Sequence, residues 1–205
     1  MIHKQLKEIV PEYYSNNPLI RKLFLKRIEK SIELAEIKDN ENLLDAGCGD
    51  GVLLKNLPKD KKLRCYGIDY NPFVKNLHIK KCKILVSDIR KLPFVKNFFD
   101  KIFCLDILEH IIDIKKALFE IKRVLKKDGL LIVSGPTESL FYKIGRFLTK
   151  GTFSEREGPC SPHYYNIFDI ESILTKNGFK LIKTLNLPSF PIPPLFKILV
   201  FIKNE

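Results

Sequence analysis

No stretch of roughly eighteen apolar residues occurs in this chain of 205 residues, so no membrane-spanning helix is expected. The opening Met1-Ile2-His3-Lys4-Gln5 lacks the apolar centre of a secretory signal. The five cysteines (Cys48, Cys65, Cys82, Cys104 and Cys160) are odd in number and form no C-x-x-C pair. That excludes a zinc ribbon and argues against a disulfide framework; buried reduced thiols, a cytoplasmic location and no metal site are expected. Also missing are internal repeats, low-complexity segments and any linker long enough to divide the chain, so one domain over 1–205 is expected. Apolar residues make up 45% and charged residues 29%, the balance of an ordinary soluble core. The net charge of +12 would attract nucleic acid, an anionic membrane surface or an anionic small substrate. No block of five like charges concentrates it, however, and scattered lysines serve solubility or ion pairing equally well.

What the chain does have is centred on Asn42-Leu43-Leu44-Asp45-Ala46-Gly47-Cys48-Gly49-Asp50-Gly51. This reads as a buried parallel strand running into a glycine turn that lets a ligand approach the backbone. Val52, Leu53, Leu54 and Leu57 then form the apolar face of a short helix whose N-terminal N–H groups point at the ligand. The dinucleotide fingerprint needs a glycine at position 52, where this chain has Val52. Asp45, two residues before the first glycine, would repel a pyrophosphate but would suit a ligand with an ammonium and a sulfonium.

Along the rest of the chain, residues 1–17 read as a short helix and a loop broken by Pro11. Pro18 opens a helix to about Ile37 with Leu19, Ile20, Leu23, Phe24, Ile28, Ile32 and Ala35 inward. Strands are expected over 63–69, 82–88, 99–106 and 130–134, with Lys101 an odd charge inside one of them. A brief helix should begin at Asn71-Pro72, and an amphipathic helix should run from the Asp113 cap to Gly129. Asp45, Asp69, Asp88 and Asp106 thus end four successive strands, at intervals of 24, 19 and 18 residues. Ligands bind outside the carboxyl ends of parallel strands, where four carboxylates suit a partner rich in hydroxyl and amino donors. Further on, a helix over 137–150, a covering loop over 151–165, a helix over 169–177 and a hairpin of 179–185 with 196–202 are expected.

Leu-Leu-Asp-Ala-Gly-Cys-Gly-Asp-Gly resembles motif I of the class I S-adenosylmethionine-dependent methyltransferases. The segment Phe98-Phe99-Asp100 to Leu108-Glu109-His110, with Leu92-Pro93-Phe94 before it and Leu125 to Leu130 after it, resembles the type 11 branch that includes quinone-biosynthesis enzymes. The likeness spans roughly 40–182, with Asp128-Gly129 in place of the usual Pro-Gly. It implies a Rossmann-like α/β fold: seven mostly parallel strands, an antiparallel C-terminal hairpin and helices on both faces. It divides the chain into a helical cap (1–39), a cofactor half (40–135) and a substrate half with lid loop and hairpin (136–205). S-adenosylmethionine is the implied cofactor and S-adenosylhomocysteine the product.

By the same resemblance, Asp45 holds the ammonium, and Ala46, Gly47, Cys48 and Gly49 approach the methionine part. Asp69 accepts the ribose hydroxyls and Tyr70 flanks the adenine. Asp88 and the Ile89 N–H hold the adenine edge, while Leu105 and Asp106 line the floor near the methyl group. His110 is the candidate general base. His163, Tyr164 and Tyr14, with Tyr13 beside it, are expected on the acceptor side. Enzymes that methylate base amino groups follow strand 4 with Pro-Pro-aromatic, whereas this chain has Leu105-Asp106-Ile107. A small-molecule acceptor with an oxygen or carbon nucleophile, lipid-like or anionic, is therefore the first reading. The apolar turn around Phe190, Ile192 and Leu195 would cover it or touch a membrane. The alternatives are a tRNA or protein methyltransferase, or a cofactor-binding subunit without turnover; the oligomeric state is left open.

Overall fold

The computed structural model describes residues 13, 16–139, 163–189 and 193–204. Helix α1 (Pro18–Leu34) is followed by β1 (Asn42–Ala46), α2 (Val52–Asn56), β2 (Arg64–Asp69), β3 (Cys82–Val86) and β4 (Phe99–Leu105). Then come α3 (Ile114–Val124), β5 (Leu125–Pro136), α4 (Ile167–Lys176), β6 (Phe179–Leu187) and β7 (Phe196–Lys203). Short 3-10 turns occupy Pro72–Asn76 and Leu108–His110. The strands form one seven-stranded sheet in the order β3-β2-β1-β4-β5-β7-β6. The first five are mutually parallel, and β7 lies antiparallel between β5 and β6. This is the architecture that the sequence led us to expect.

Strand periodicity divides the core into two layers. Leu44, Ile102, Cys104, Leu131, Val133, Leu199 and Phe201 face α3 and α4. Leu43, Phe103, Ile132, Ile198 and Val200 face α1 and α2. Parallel strands covered on both sides have no polar face, which is why β1 and β5 read as continuous apolar runs. Asp100 of the strand 4 signature has a structural task. Its carboxylate accepts the Asn42 N–H at 2.8 Å and pairs with Lys126 at 2.7 Å, fixing β4 against its neighbours. Lys101, the odd charge, is buried and pairs with Glu41 at 3.4 Å.

Several boundaries differ from expectation. Helix α3 stops at Val124 rather than Gly129, because Leu125 already pairs with Phe99. Lys101 pairs next with Leu130, so Asp128-Gly129 turns within a bulge of β5 instead of ending a helix. Helix α4 starts at Ile167, not Asp169, since Asn166 caps it and Asp169 returns the bond in a capping box. Helix α1 ends at Leu34, and Leu19 is exposed; the buried stripe runs through Ile20, Phe24, Arg27, Ile28 and Ser31. Cys48, Cys65 and Cys104 are buried free thiols, and Cys82 is a partly buried one. The expected helices over 1–17 and 137–150, the loop over 151–162, and Tyr14, Cys160, Phe190 and Ile192 lie largely or wholly outside the described residues.

Phe99 has no exposed surface and meets Tyr66, Phe94 and Phe98 with ring centroids 4.8–5.6 Å apart. Phe99→Ala is expected to lower stability by about 3–5 kcal/mol, read as a reduced urea midpoint at unchanged slope.

Candidate active site

The order of the strands sets Asp88, Asp69, Asp45 and Asp106 side by side along the carboxyl edge of β3, β2, β1 and β4. Between β1 and α2 the chain turns through Gly47, at φ +81°, and Gly51, at φ +76°. A Cβ on Gly47 would come within 2.9 Å of the Ile107 side chain, so only glycine fits there. The Gly47 and Cys48 N–H groups both donate to the Ile68 carbonyl, at 2.8 and 2.9 Å, which folds the loop over β2. Helix α2 has only five residues, and its first N–H is taken by the Asp50 carboxylate at 3.2 Å. Of the N–H groups expected at this helix start, that of Val52 is therefore already occupied.

Asp69 ends β2, with one carboxylate oxygen accepting from Gly49 N–H at 3.0 Å and the other from Asn71 N–H at 2.9 Å. Each oxygen keeps a further lone pair for a hydroxyl. Tyr70 beside it is exposed. Asp88 is gripped by its own neighbour: Arg90 reaches both oxygens, at 2.6–3.0 Å, and holds the carboxyl below its usual range. Ile89 next to it is buried.

Asp45 is the least comfortable of the four. It is 4% exposed, and burial, then Asp69, Asp50 and Cys82, push its carboxyl up to about 8. No hydrogen bond or ion pair to it is present among the described residues. A cation placed there would relieve all of these effects at once.

Asp106 follows Leu105 in the left-handed region, at φ +54°, and its N–H donates to Ser134 O at 3.0 Å. Its side chain does not simply line a floor; it pairs with Arg27 of α1. Arg27 is fully buried, stacked between Phe24 and Phe196 at 4.7 and 4.6 Å, and its Nη2 donates to the Tyr13 hydroxyl at 3.2 Å. Burial, the largest single effect, works against its charge, but Asp106, Tyr13 and Glu109 together outweigh burial and hold the guanidinium protonated. Burial pushes the Tyr13 phenol up to about 12. Sequence reasoning missed Arg27, although positions 20, 24, 27, 28 and 31 share one helix face and a charge inside that stripe was the available signal.

Past β4, the Leu108–His110 turn buries Glu109 and leaves His110 half-buried. Burial, then Asp106, raises the Glu109 carboxyl well above its usual range. His110 and His163, 53 positions apart in the chain, are brought ring to ring at 4.8 Å. Tyr164 N–H donates to Glu109 O at 2.8 Å, and the Tyr164 side chain is exposed. Of the acceptor-side candidates, His163 thus joins His110, Tyr164 stands at the rim, and Tyr14 lies outside the described residues. Glu109 was not singled out, because nothing in the sequence distinguishes it from a solvated helix-start carboxylate.

Residues 44–133 match the methyltransferase domain family. Over 98% of its length the chain is 28% identical to the uncharacterized protein MJ1252 of Methanocaldococcus jannaschii, covering 89% of that protein. It is 26% identical to 24-methylenesterol C-methyltransferase 3 of Arabidopsis thaliana over 81% of this chain, but spans only 49% of that enzyme. The fold is shared with N-methyltransferase NodS from Bradyrhizobium japonicum, solved with S-adenosylhomocysteine (TM-score 0.71, 16% identity, 100% and 97% of the two chains).

Asp45 generates a prediction about apo stability. Below about pH 4 both folded and unfolded chains hold its proton; from there to about pH 8 only the folded chain does, so stability falls as pH rises through that window. Asp45→Asn should remove this loss, making the variant more stable than the parent by a few kcal/mol at pH 8 and similar to it at pH 4. A stability difference that does not change with pH in urea titrations would refute the assignment.

Proposed function

We propose that this chain, whose residues 44–133 match the methyltransferase domain family, is a class I S-adenosylmethionine-dependent methyltransferase that acts on an oxygen or carbon nucleophile of a small, lipid-like or anionic acceptor. The observation carrying this reading is the Arg27–Asp106 ion pair. A strand 4 carboxylate that served an amine acceptor would offer both oxygens to its N–H groups, whereas here Oδ2 pairs with a buried guanidinium and only Oδ1 is left without a partner. The sterol C-methyltransferase of Arabidopsis thaliana, similar over 81% of this chain, supports a carbon nucleophile on an apolar acceptor.

The donor set fits the cofactor. Asp45, whose buried carboxylate lacks a counterion, would take the ammonium, flanked by Ala46, Gly47, Cys48 and Gly49. The remaining lone pairs of Asp69 would accept the two ribose hydroxyls, with Tyr70 beside the adenine and Asp88 and Ile89 along its edge. When bound, the cofactor supplies an electrophilic methyl group on a sulfonium. The chain's own part is then alignment and exclusion of water, with Leu105 and Asp106 beneath the reacting centre. His110, on the turn that leaves β4, would take a proton where the acceptor's nucleophile carries one. His163 and Tyr164 would face the acceptor, and Tyr14 is kept with them as an acceptor-side candidate. We assign 1–39, 40–135 and 136–205 to one catalytic unit as cap, cofactor half and acceptor half. Free thiols among the described residues agree with a reducing compartment such as the cytoplasm. No described helix is long and apolar enough to cross a membrane.

Calorimetric titration with S-adenosylmethionine, S-adenosylhomocysteine and NADH tests the assignment. Micromolar binding of the first two and none of the third is expected. Asp69→Ala should weaken it by about 3 kcal/mol, since it removes two charge-assisted bonds. Unchanged affinity in a folded variant would remove Asp69 from the site. Salt-sensitive association with bulk tRNA would instead favour a macromolecular acceptor.

A further inference from the structure

Beside the cofactor residues, two chain segments that are distant in sequence bring metal-ligating atoms together. Glu109, His110 and His163 each offer one donor atom, all within 4.8 Å of one another. We propose that they form a site for one borderline divalent transition ion such as Zn²⁺, Fe²⁺ or Co²⁺. No C-x-x-C or H-x-x-x-H spacing announces it, because Glu109 and His110 leave β4 while His163 precedes α4.

Four observations support the assignment independently of the proximity. Glu109 is 99% buried by relative area (1% exposed), and its Oε2 has no hydrogen-bond partner. A buried carboxylate in that state calls for a cation, and among the described residues no ion pair reaches Glu109. His163 Nδ1 is hydrogen-bonded to Glu138 Oε1 at 2.9 Å. Such a carboxylate fixes the tautomer and leaves Nε2 as the metal-facing lone pair. Glu138 holds that place at φ +51°, a left-handed conformation uncommon for a residue with a side chain. Finally, the segment bearing His163 is pinned to the β4 exit by two bonds: Tyr164 N–H to Glu109 O at 2.8 Å, and Tyr165 Oη–H to Ile112 O at 3.2 Å.

The donor types choose the ion. Two imidazole nitrogens and one carboxylate oxygen suit zinc and its neighbours, whereas calcium and magnesium prefer oxygen alone. Donors about 2.0–2.2 Å from a tetrahedral ion lie roughly 3.4 Å apart, so the three side chains close by about an ångström. The charges balance too: a divalent ion meets Glu109 directly and Glu138 through His163. Three protein ligands leave a coordination position open, as in catalytic rather than structural sites. Resting on the methyl-transfer reading, that position would take an acceptor oxygen, and His110 would then be a ligand rather than a free base. Burial falls from Glu109 through His110 to the exposed His163, which gives the ion a way in.

The full chain, freed of metal with a chelator, should bind one equivalent of Co²⁺ with visible d–d bands that Zn²⁺ abolishes. His163→Ala and Glu109→Gln should lose the bands, and Glu138→Gln should weaken Co²⁺ binding about tenfold. His78→Ala, an exposed histidine elsewhere, should bind as the parent does. Titration of every variant with S-adenosylhomocysteine reports on fold and cofactor site separately. Absence of stoichiometric Co²⁺ binding in the parent, or equal binding in His163→Ala, overturns the metal site and leaves the methyltransferase assignment standing. Loss of S-adenosylhomocysteine binding in the parent overturns the cofactor assignment instead.

Discussion

A guanidinium taken wholly out of water must have a counterion, and much of this molecule's geometry follows from that need. Arg27 sits inside the apolar stripe of α1, between two phenylalanine rings, and its counterion comes from the far end of β4. The pair therefore joins the N-terminal helix to the ligand edge of the sheet. Removing one member of such a pair strands the other's charge, at a cost of about 3–5 kcal/mol. The left-handed backbone of Asp106 is the local strain accepted to bring its carboxylate there. Tyr13, which the same guanidinium contacts, carries the connection into the segment before α1.

The four strand-end carboxylates look alike in the sequence but live in different environments. Asp88 is satisfied at the surface by Arg90 and is energetically minor, since exposed pairs contribute little. Asp69 is already half-used by backbone N–H groups, which orient it. Asp106 pairs with Arg27 through Oδ2, while its Oδ1 has no hydrogen-bond partner. Only Asp45 is buried without compensation, surrounded by groups that repel its charge. A site that stores unfavourable electrostatics at one carboxylate is poised to release them when a cationic ligand arrives.

Much of the fold could be read from the chain because local signals agreed with one another. Apolar runs, the Asn17, Asp113 and Asn166 caps and the glycine turn all point to the same α/β order. Boundaries were lost where tertiary pairing outweighed local propensity, as at Leu125, which leaves its helix to pair with Phe99. The cofactor edge was legible because a parallel sheet delivers successive strand ends to one line. The acceptor side was not. Arg27, Glu109 and Glu138 matter through burial and through partners 25 or more positions away, and no spacing rule encodes such distances.

The position of β7 has a consequence for how the molecule is made. This strand is synthesised after β6, yet it lies between β5 and β6 and hydrogen-bonds to both along its length. During vectorial synthesis, then, β5 and β6 emerge from the ribosome with exposed edges that belong to a strand still to come. Such edges are templates for pairing with other nascent chains. The half of the sheet that carries the glycine turn has all its neighbours earlier and is free to form first. Biogenesis of this fold is therefore two-staged, with a ligand-binding half ready before the sheet is closed and a late insertion that protects the nascent chain from aggregation.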